Sequence, residues 1–399
     1  MIQRNGMTAL SRTWRNPAPI AAALVFVAAL LLSTPAWPAA GIETSAREVI
    51  LMDNDTGAVL LDSGSDLPMP PASMSKIMTV FMVFEALREE RISLDTTFPV
   101  SEKAWRMGGS KMFVEIGSEV RVEDLLRGVI VQSGNDACIV LAEGLAGSEE
   151  AFADLMTKRA GEIGMRESSF ANSTGWPDPN QRMSARDLAH LASLIIRGFP
   201  EYYGYFAEKE FVWSEIRQGN RNPLLYKNIG ADGLKTGHTE EAGYGLTASA
   251  VQDGRRLIVV LTGLESVKER SSEAAKLLTW GFRQFDNYAL FKEGEEVDEA
   301  PVWLGELPSV PLVAKEDVVV TLGRDARRDM KVTLTYDGPI PSPVSAGDQI
   351  AQLTITAPGM DKPRVVPLLA GADVPRLGPF GRIMGSIKHL ILGTSLAVN

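Results

Sequence analysis

The stretch Pro71-Ala-Ser-Met-Ser-Lys-Ile-Met-Thr79 sets a serine, Ser73, three residues ahead of a lysine, Lys76, at the opening of a helical run. The run continues as Val80-Phe-Met-Val-Phe-Glu-Ala-Leu87, apolar on nearly every side, which predicts a helix buried in a core. Pro70 and Pro71 stand where prolines are tolerated, just before or inside a first helical turn. A serine there lies near unsatisfied backbone N–H groups and the positive helix end, which favour developing negative charge. The spacing puts the lysine amine on the same face as the hydroxyl. Shelter from water disfavours a charged amine, so Lys76 can act as a base near neutral pH. Alone, a Ser-x-x-Lys in a long chain is more often a serine at a helix start with a solvated lysine. The rest of the chain decides between the two.

The 399 residues have an ordinary globular composition, 45% hydrophobic and 23% charged, long enough for two or three domains. A net charge of −10 argues against a nucleic-acid-binding surface over the whole chain. Cys138 is the single cysteine, so no intrachain disulfide can form. Three histidines, His190, His238 and His389, with no His-Glu-x-x-His or paired Cys-x-x-Cys, point away from a metal site; no cofactor is expected.

Residues 1–40 read as an export signal. Arg4, Arg12 and Arg15 form a basic start, Ile20 to Leu32 is uninterrupted apolar sequence, and small residues crowd Ser33 to Ala40. The apolar run is too short for a comfortable span, which favours cleavage over anchoring. Residues 41–286 then alternate elements in a telling order. Glu48–Asp53 and Ala58–Asp62 flank an Asn/Asp/Gly turn and predict a hairpin. Helices are expected over Val122–Val131, Asp136–Leu145, Ala151–Ile163 and Ala185–Arg197, the last capped by Ser184 with Asp187 in the first turn. Strands return at Leu234–Gly237, Tyr244–Val251 and Arg256–Thr262, and a helix over Ser271–Phe282 closes the region. Strands at both ends with helices between predict an α+β domain whose antiparallel sheet is built from both termini.

Beyond Asp286 come short alternating runs, at Val318–Leu322, Lys331–Tyr336, Gln349–Thr356 and Arg364–Leu369, expected to form a small all-β sandwich over residues 287–375. Residues 376–399 differ again. Phe380, Ile383, Met384, Ile387, Leu390 and Ile391 recur at helical spacing beside Arg376, Arg382, Lys388 and His389, as in an amphipathic helix lying on an anionic membrane surface.

Three motifs occur in a fixed order: Ser73-x-x-Lys76, Ser133-Gly-Asn135 and Lys235-Thr-Gly237. Each is weak alone; together they match the set of penicillin-binding proteins and class A β-lactamases. With Lys235-Thr-Gly-His-Thr239, Ser133-Gly-Asn-Asp-Ala-Cys138, Arg217-Gln-x-Asn-Arg-Asn222 and Thr279-Trp-Gly-Phe282, the chain resembles the D-alanyl-D-alanine carboxypeptidases of the low-molecular-mass, type-5 penicillin-binding proteins. The resemblance covers nearly the whole chain. It implies a β-lactamase/transpeptidase-like catalytic domain, a β-rich second domain and a membrane-anchoring tail, acting alone or through a homodimer.

That resemblance, with the chemistry of the side chains, implies a role for each residue. Ser73 attacks the carbonyl of the penultimate D-alanine of a peptidoglycan stem peptide, and Lys76 takes its proton. Ser133 relays a proton to the departing amine. Lys235 keeps the site electropositive and Lys76 partly neutral. Asn135 holds the substrate amide, and the backbone N–H groups of Ser73 and His238, following Gly237, form the oxyanion site. Thr236, with Arg221 and Arg270, receives the terminal carboxylate. β-Lactams are expected inhibitors. Cys138 is expected to be a small core residue rather than a second nucleophile. Three other readings compete. A class A β-lactamase needs a Glu-x-x-Leu-Asn loop, which is missing between Glu143 and Asn180. A transpeptidase or endopeptidase would use the same acyl-enzyme. A non-catalytic scaffold binding wall peptides or β-lactams would not need all of Ser73, Lys76, Ser133, Asn135 and Lys235.

Overall fold

The structure, a computed structural model, describes residues 3–4, 42–360 and 362–384. The chain divides into two compact units, one of residues 42–286 and one that includes residues 287–384.

The first unit is built on a five-stranded sheet. Its strands are β1 (Glu48–Asp53), β2 (Val59–Ser63), β3 (Ala231–Thr239), β4 (Gly243–Gln252) and β5 (Arg255–Leu264), in the order β2-β1-β5-β4-β3. Every pairing is antiparallel, so the two ends of the unit's sequence meet at β1 and β5, as the α+β reading expects. The run Leu257 to Leu261 is continuously apolar because both faces of β5 are buried. Ile258 and Val260 face the large helical core, whereas Leu257, Val259 and Leu261 face the last helix, α6 (Val267–Gln284).

Between β2 and β3 lie α1 (Lys76–Arg88), α2 (Val122–Ile130), α3 (Asn135–Ala146), α4 (Glu149–Glu162) and α5 (Ala185–Gly198). Helix α1 is the hub: Ile77, Met78, Val80, Phe81, Val83 and Phe84 are all buried, matching its lack of a polar stripe. Serine side chains cap three of these helices by accepting the N–H three residues on. Ser148 takes that of Ala151, Ser184 that of Asp187 and Ser266 that of Glu269. Several boundaries differ from expectation, two of them with a plain cause. Helix α6 starts at Val267 rather than Ser271, because its polar first turn, Lys268-Glu-Arg270, carries no apolar period. Ser73 lies in a separate 3-10 turn, Ala72–Ser75, and α1 proper begins at Lys76. A short hairpin, Glu210–Trp213 with Ile216–Gly219, was not expected; only Phe211 and Gln218 are buried in it, too few for a visible pattern.

The second unit is a β-sheet domain. Ser309–Ala314, Lys331–Thr335, Gln349–Thr356 and Arg364–Ala370 belong to a seven-stranded sheet, and Val318–Gly323 pairs with Phe285–Phe291 in a two-stranded one. Val318, Val320 and Leu322 share one core with Leu312, Leu353, Ile355, Val366 and Leu368. The strand Glu296–Trp303 was not anticipated, since only Val297 and Ala300 are buried along it. Of the tail, residues 379–384 are helical, and Phe380, Ile383 and Met384 are exposed there. Residues 385–399 of that expectation lie outside the described residues. So does the export signal, except for Gln3 and Arg4, which pair with Thr333 and Leu334.

Candidate active site

Ala72 has φ +49, in the left-handed region that only Gly adopts freely, and this pinches the chain before α1. The Met74 N–H donates to the Pro71 carbonyl (3.1 Å) and the Ser75 hydroxyl to the Ala72 carbonyl (3.0 Å), which locks the turn. Ser73 remains half-buried. The Lys76 side chain runs back along the turn into the core, fully buried, with Nζ hydrogen-bonded to Ser73 Oγ at 2.9 Å. Its second contact is the Thr174 carbonyl, which accepts from Nζ. Burial pushes the Lys76 amine down to about 8; Arg221 pushes the same way, against the opposing pull of the Asp136 and Glu149 carboxylates. An amine lowered to about 8 and in hydrogen-bond reach of a hydroxyl can accept that hydroxyl's proton.

The second motif occupies the bend between α2 and α3. Ser133 has φ +65 and is buried, and its Oγ has no hydrogen-bond partner among the described residues. A buried hydroxyl with nothing to bond is costly, so this one is open to a ligand or a water. Asn135 opens α3. Its N–H donates to the Ser110 carbonyl (2.7 Å) and its Nδ2 to the Gly108 carbonyl (2.9 Å). The next residue, Asp136, accepts from the N–H groups of Met112, Phe113, Val114 and Ala137. One buried carboxylate thus staples the segment Gly108–Val114 to the Ser133 bend.

The third motif lies on β3, at the sheet edge. Lys235 and Thr236 are buried there. Burial pushes the Lys235 amine well below its usual range, with the charge of Lys76 the next cause and Arg221 after it. The two ammonium groups therefore oppose each other's ionisation. Gly237 brings the strand onto the Ser73 turn: a Cβ there would stand 2.9 Å from the Pro71 carbonyl oxygen and 3.2 Å from Ala72 Cβ. Only a glycine allows this approach. His238, the next residue, is exposed and stacks on Tyr244, ring centroids 3.9 Å apart.

The two arginines differ. Arg221 is exposed and donates to Ser110 Oγ (2.6 Å). Arg270, in the first turn of α6, is buried under the sheet edge with Nη1 near the Gly237 (3.4 Å) and Gly245 (3.5 Å) carbonyls. Cys138 is buried in α3, and burial pushes its thiol up to about 12, so the thiolate is suppressed.

A hydroxyl bound to a buried amine and a second buried lysine close enough to feel that amine's charge are brought together here. Residues 34–266 match the family described as D-alanyl-D-alanine carboxypeptidase, and residues 285–376 match the C-terminal domain of penicillin-binding protein 5. The chain belongs to the D-alanyl-D-alanine carboxypeptidase family. It is 39% identical to the D-alanyl-D-alanine carboxypeptidase DacC of Escherichia coli, over 85% of this chain and 86% of that one. Identity to DacA of Haemophilus influenzae is 37%, over 86% and 88%. Crystal structures of penicillin binding protein 5 from Haemophilus influenzae superpose with a TM-score of 0.78 at 37% identity, covering 84% of this chain and 99% of that one.

For this carboxypeptidase the sequence left out the loop that covers Lys76. Residues 169–183 read simply as an Asn-, Pro- and Gly-rich connection. In the structure Asn172 Oδ1 accepts the N–H groups of Thr174, Gly175 and Trp176, which coils the loop so that the Thr174 carbonyl meets Lys76. Thr79, one turn along α1, donates to the Ser173 carbonyl (2.6 Å). No local signal could show contacts that span more than ninety positions.

Gly175 seats this loop. Its φ is +78, and a Cβ would fall 1.9 Å from the Ala72 carbonyl oxygen and 2.5 Å from Ser75 Oγ. Gly175→Ala combines left-handed strain with a clash against backbone, and is expected to cost about 2 kcal/mol or more. D-Alanine release should fall with it, because Ser73 and Thr174 are displaced together. Thermal unfolding and steady-state kinetics check both; an alanine variant with wild-type melting and rate would show that the loop is seated otherwise.

Proposed function

We propose that this protein removes the terminal D-alanine from peptidoglycan pentapeptide stems through an acyl-enzyme on Ser73. The observation that carries the reading is the buried Lys76 amine, 2.9 Å from Ser73 Oγ and pushed down to about 8. In acylation the Ser73 proton passes to Lys76 as Oγ bonds to the carbonyl carbon of the penultimate D-alanine. The oxyanion is taken up by the backbone N–H groups of Ser73 and His238, a placement supported by the close approach of Gly237 to the turn. The C–N bond then breaks and the amine of D-alanine leaves with a proton relayed by Ser133, whose hydroxyl has no competing partner. Water, activated by the same amine, releases the tetrapeptide stem and restores Ser73. Asn135 orients the substrate amide.

Thr236 and the exposed Arg221 offer hydrogen bonds to the terminal carboxylate; Arg270 adds positive potential from beneath Gly237. The lysine pair couples binding to chemistry. A carboxylate arriving beside Lys235 favours its charged form, and a charged Lys235 keeps Lys76 neutral. Substrate thus helps make the base it needs. β-Lactams would acylate the same serine.

Release of D-alanine from a diacylated Lys-D-Ala-D-Ala peptide tests this. Because burial lowers the pKa of Lys76, its neutral form gains as pH rises through about 8, and kcat/KM should rise along that limb. If instead the peptide is transferred to an amine acceptor without free hydrolysis, the transpeptidase reading takes over. No activity, with no penicilloyl adduct, would leave a scaffold.

Export follows from the basic and apolar sequence of residues 1–40, and attachment to the outer face of the bacterial inner membrane from the tail. Among the described residues no helix is long and apolar enough to cross a membrane. The exposed Phe380, Ile383 and Met384 fit a surface-lying helix, alone or paired in a homodimer. Deleting Phe380 to Asn399 should free the protein from membranes while its activity on a soluble peptide persists. Retention on membranes after deletion would exclude the tail as anchor.

A further inference from the structure

Glu149 is the first residue of α4, where an acidic side chain usually does no more than favour the helix dipole. Here the helix cap is already made by Ser148, and the Glu149 carboxylate is buried and turned away to the loop over Lys76. Oε1 accepts both from the Ser173 N–H (3.1 Å) and from the Ser173 hydroxyl (2.8 Å). Oε2 meets Lys103 Nζ at 2.9 Å, and Lys103 also pairs with the exposed Glu150. Ser173 in turn gives its carbonyl to Thr79, and the next carbonyl, of Thr174, receives Lys76. Within the loop, Asn172 bonds Thr174, Gly175, Trp176 and the Gln181 side chain, all of the same loop, and Gly175 fills space against Ala72. Glu149 is therefore a charge-assisted hydrogen-bonded tie between this loop and the helical core.

We propose that Glu149 is a positioning residue for the base of the reaction proposed above: it holds the Thr174 carbonyl on Lys76 and lends the amine a negative field. The inference rests on that reading of Ser73 and Lys76. The charged and titratable groups facing Lys76 are Lys235 on β3, Arg221 before it, Cys138 and Asp136 on α3, and Glu149 on α4. Among these, Asp136 is spent on four N–H groups and Cys138 is held as the thiol. Glu149 alone joins a charge that favours the Lys76 ammonium to a hydrogen-bonded path into the loop that touches it.

The sign of the effect follows. Removing the carboxylate removes a group that raises the Lys76 pKa, so the base loses its proton at lower pH. Loosening Thr174 also withdraws an acceptor from the ammonium. Both shift the acid limb of the pH profile downward, while the misplaced amine transfers protons less well. The test is the acylation rate constant with benzylpenicillin, measured against pH for full-length wild type, Glu149→Gln and Glu149→Ala. Glutamine keeps an oxygen for Ser173 and drops the charge; Lys103, nearly half exposed, can swing away from its amide. We expect the alanine plateau to fall about tenfold or more, the glutamine plateau to stay within about threefold, and both acid limbs to move to lower pH. Limbs that superpose on the wild type overturn the proposal, whatever the plateaus do, since a merely structural residue would lower the rate alone. Should the alanine protein fail to fold, the glutamine limb decides. Wild-type adduct formation on Ser73 is scored in the same runs, so failure of this inference is distinct from failure of the reading beneath it.

Discussion

Ser73→Ala protein should fold normally and release D-alanine roughly 10⁴-fold more slowly than the wild type, or slower. The substitution deletes one half-buried oxygen and leaves the pinched backbone of Ala72 to Ser75 untouched. Lys76 keeps the Thr174 carbonyl as a partner, so the core loses no packing. Binding of the peptide should survive, because Asn135, Thr236 and Arg221 do not depend on the serine. The combination to look for is an unchanged melting temperature, retained peptide binding and no turnover. A variant retaining even a hundredth of wild-type turnover would place the nucleophile elsewhere.

Lys76→Met should be nearly as damaging, by about 10²- to 10⁴-fold, the usual worth of a positioned acid–base group. Methionine matches the buried stem in length and carries no charge to desolvate. That relief offsets the Thr174 carbonyl left without its donor, a loss of about 1–3 kcal/mol. Stability should therefore change little while both D-alanine release and acylation by penicillin fall. The limb near pH 8 should also vanish, since the group that titrates there is gone. Persistence of that limb in the variant would assign it to Lys235 instead.

What the sequence showed was what is local or periodic. The spacing of Ser73 and Lys76, the Ser184 cap with Asp187, and the apolar strand of β5 are written within a few residues. The closure of one sheet from both termini was legible because strands and helices come in an order that permits little else. What escaped depends on partners distant in the chain, or on backbone that no residue type announces. Alanine is no signal for φ +49, so the turn that holds Ser73 clear of α1 was read as plain helix. Thr174 and Ser173 look like ordinary loop residues until α1 is laid against them. Asp136 follows Asn135 in a motif already noted, yet its bonds to Met112, Phe113 and Val114 required knowing where that segment lies. Arg270 was placed near the substrate by its resemblance to family arginines; the structure seats it under Gly237 and Gly245, buried.

The central claim is that the reacting atom is Ser73 Oγ, served by Lys76. It is tested most directly by treating the full-length protein with benzylpenicillin, digesting it and mapping the adduct by mass spectrometry. A penicilloyl group on the peptide carrying Ser73, with its rate of formation rising through about pH 8, is the predicted result. An adduct on Ser133 or Cys138, or none at all on a protein that still releases D-alanine, would contradict it.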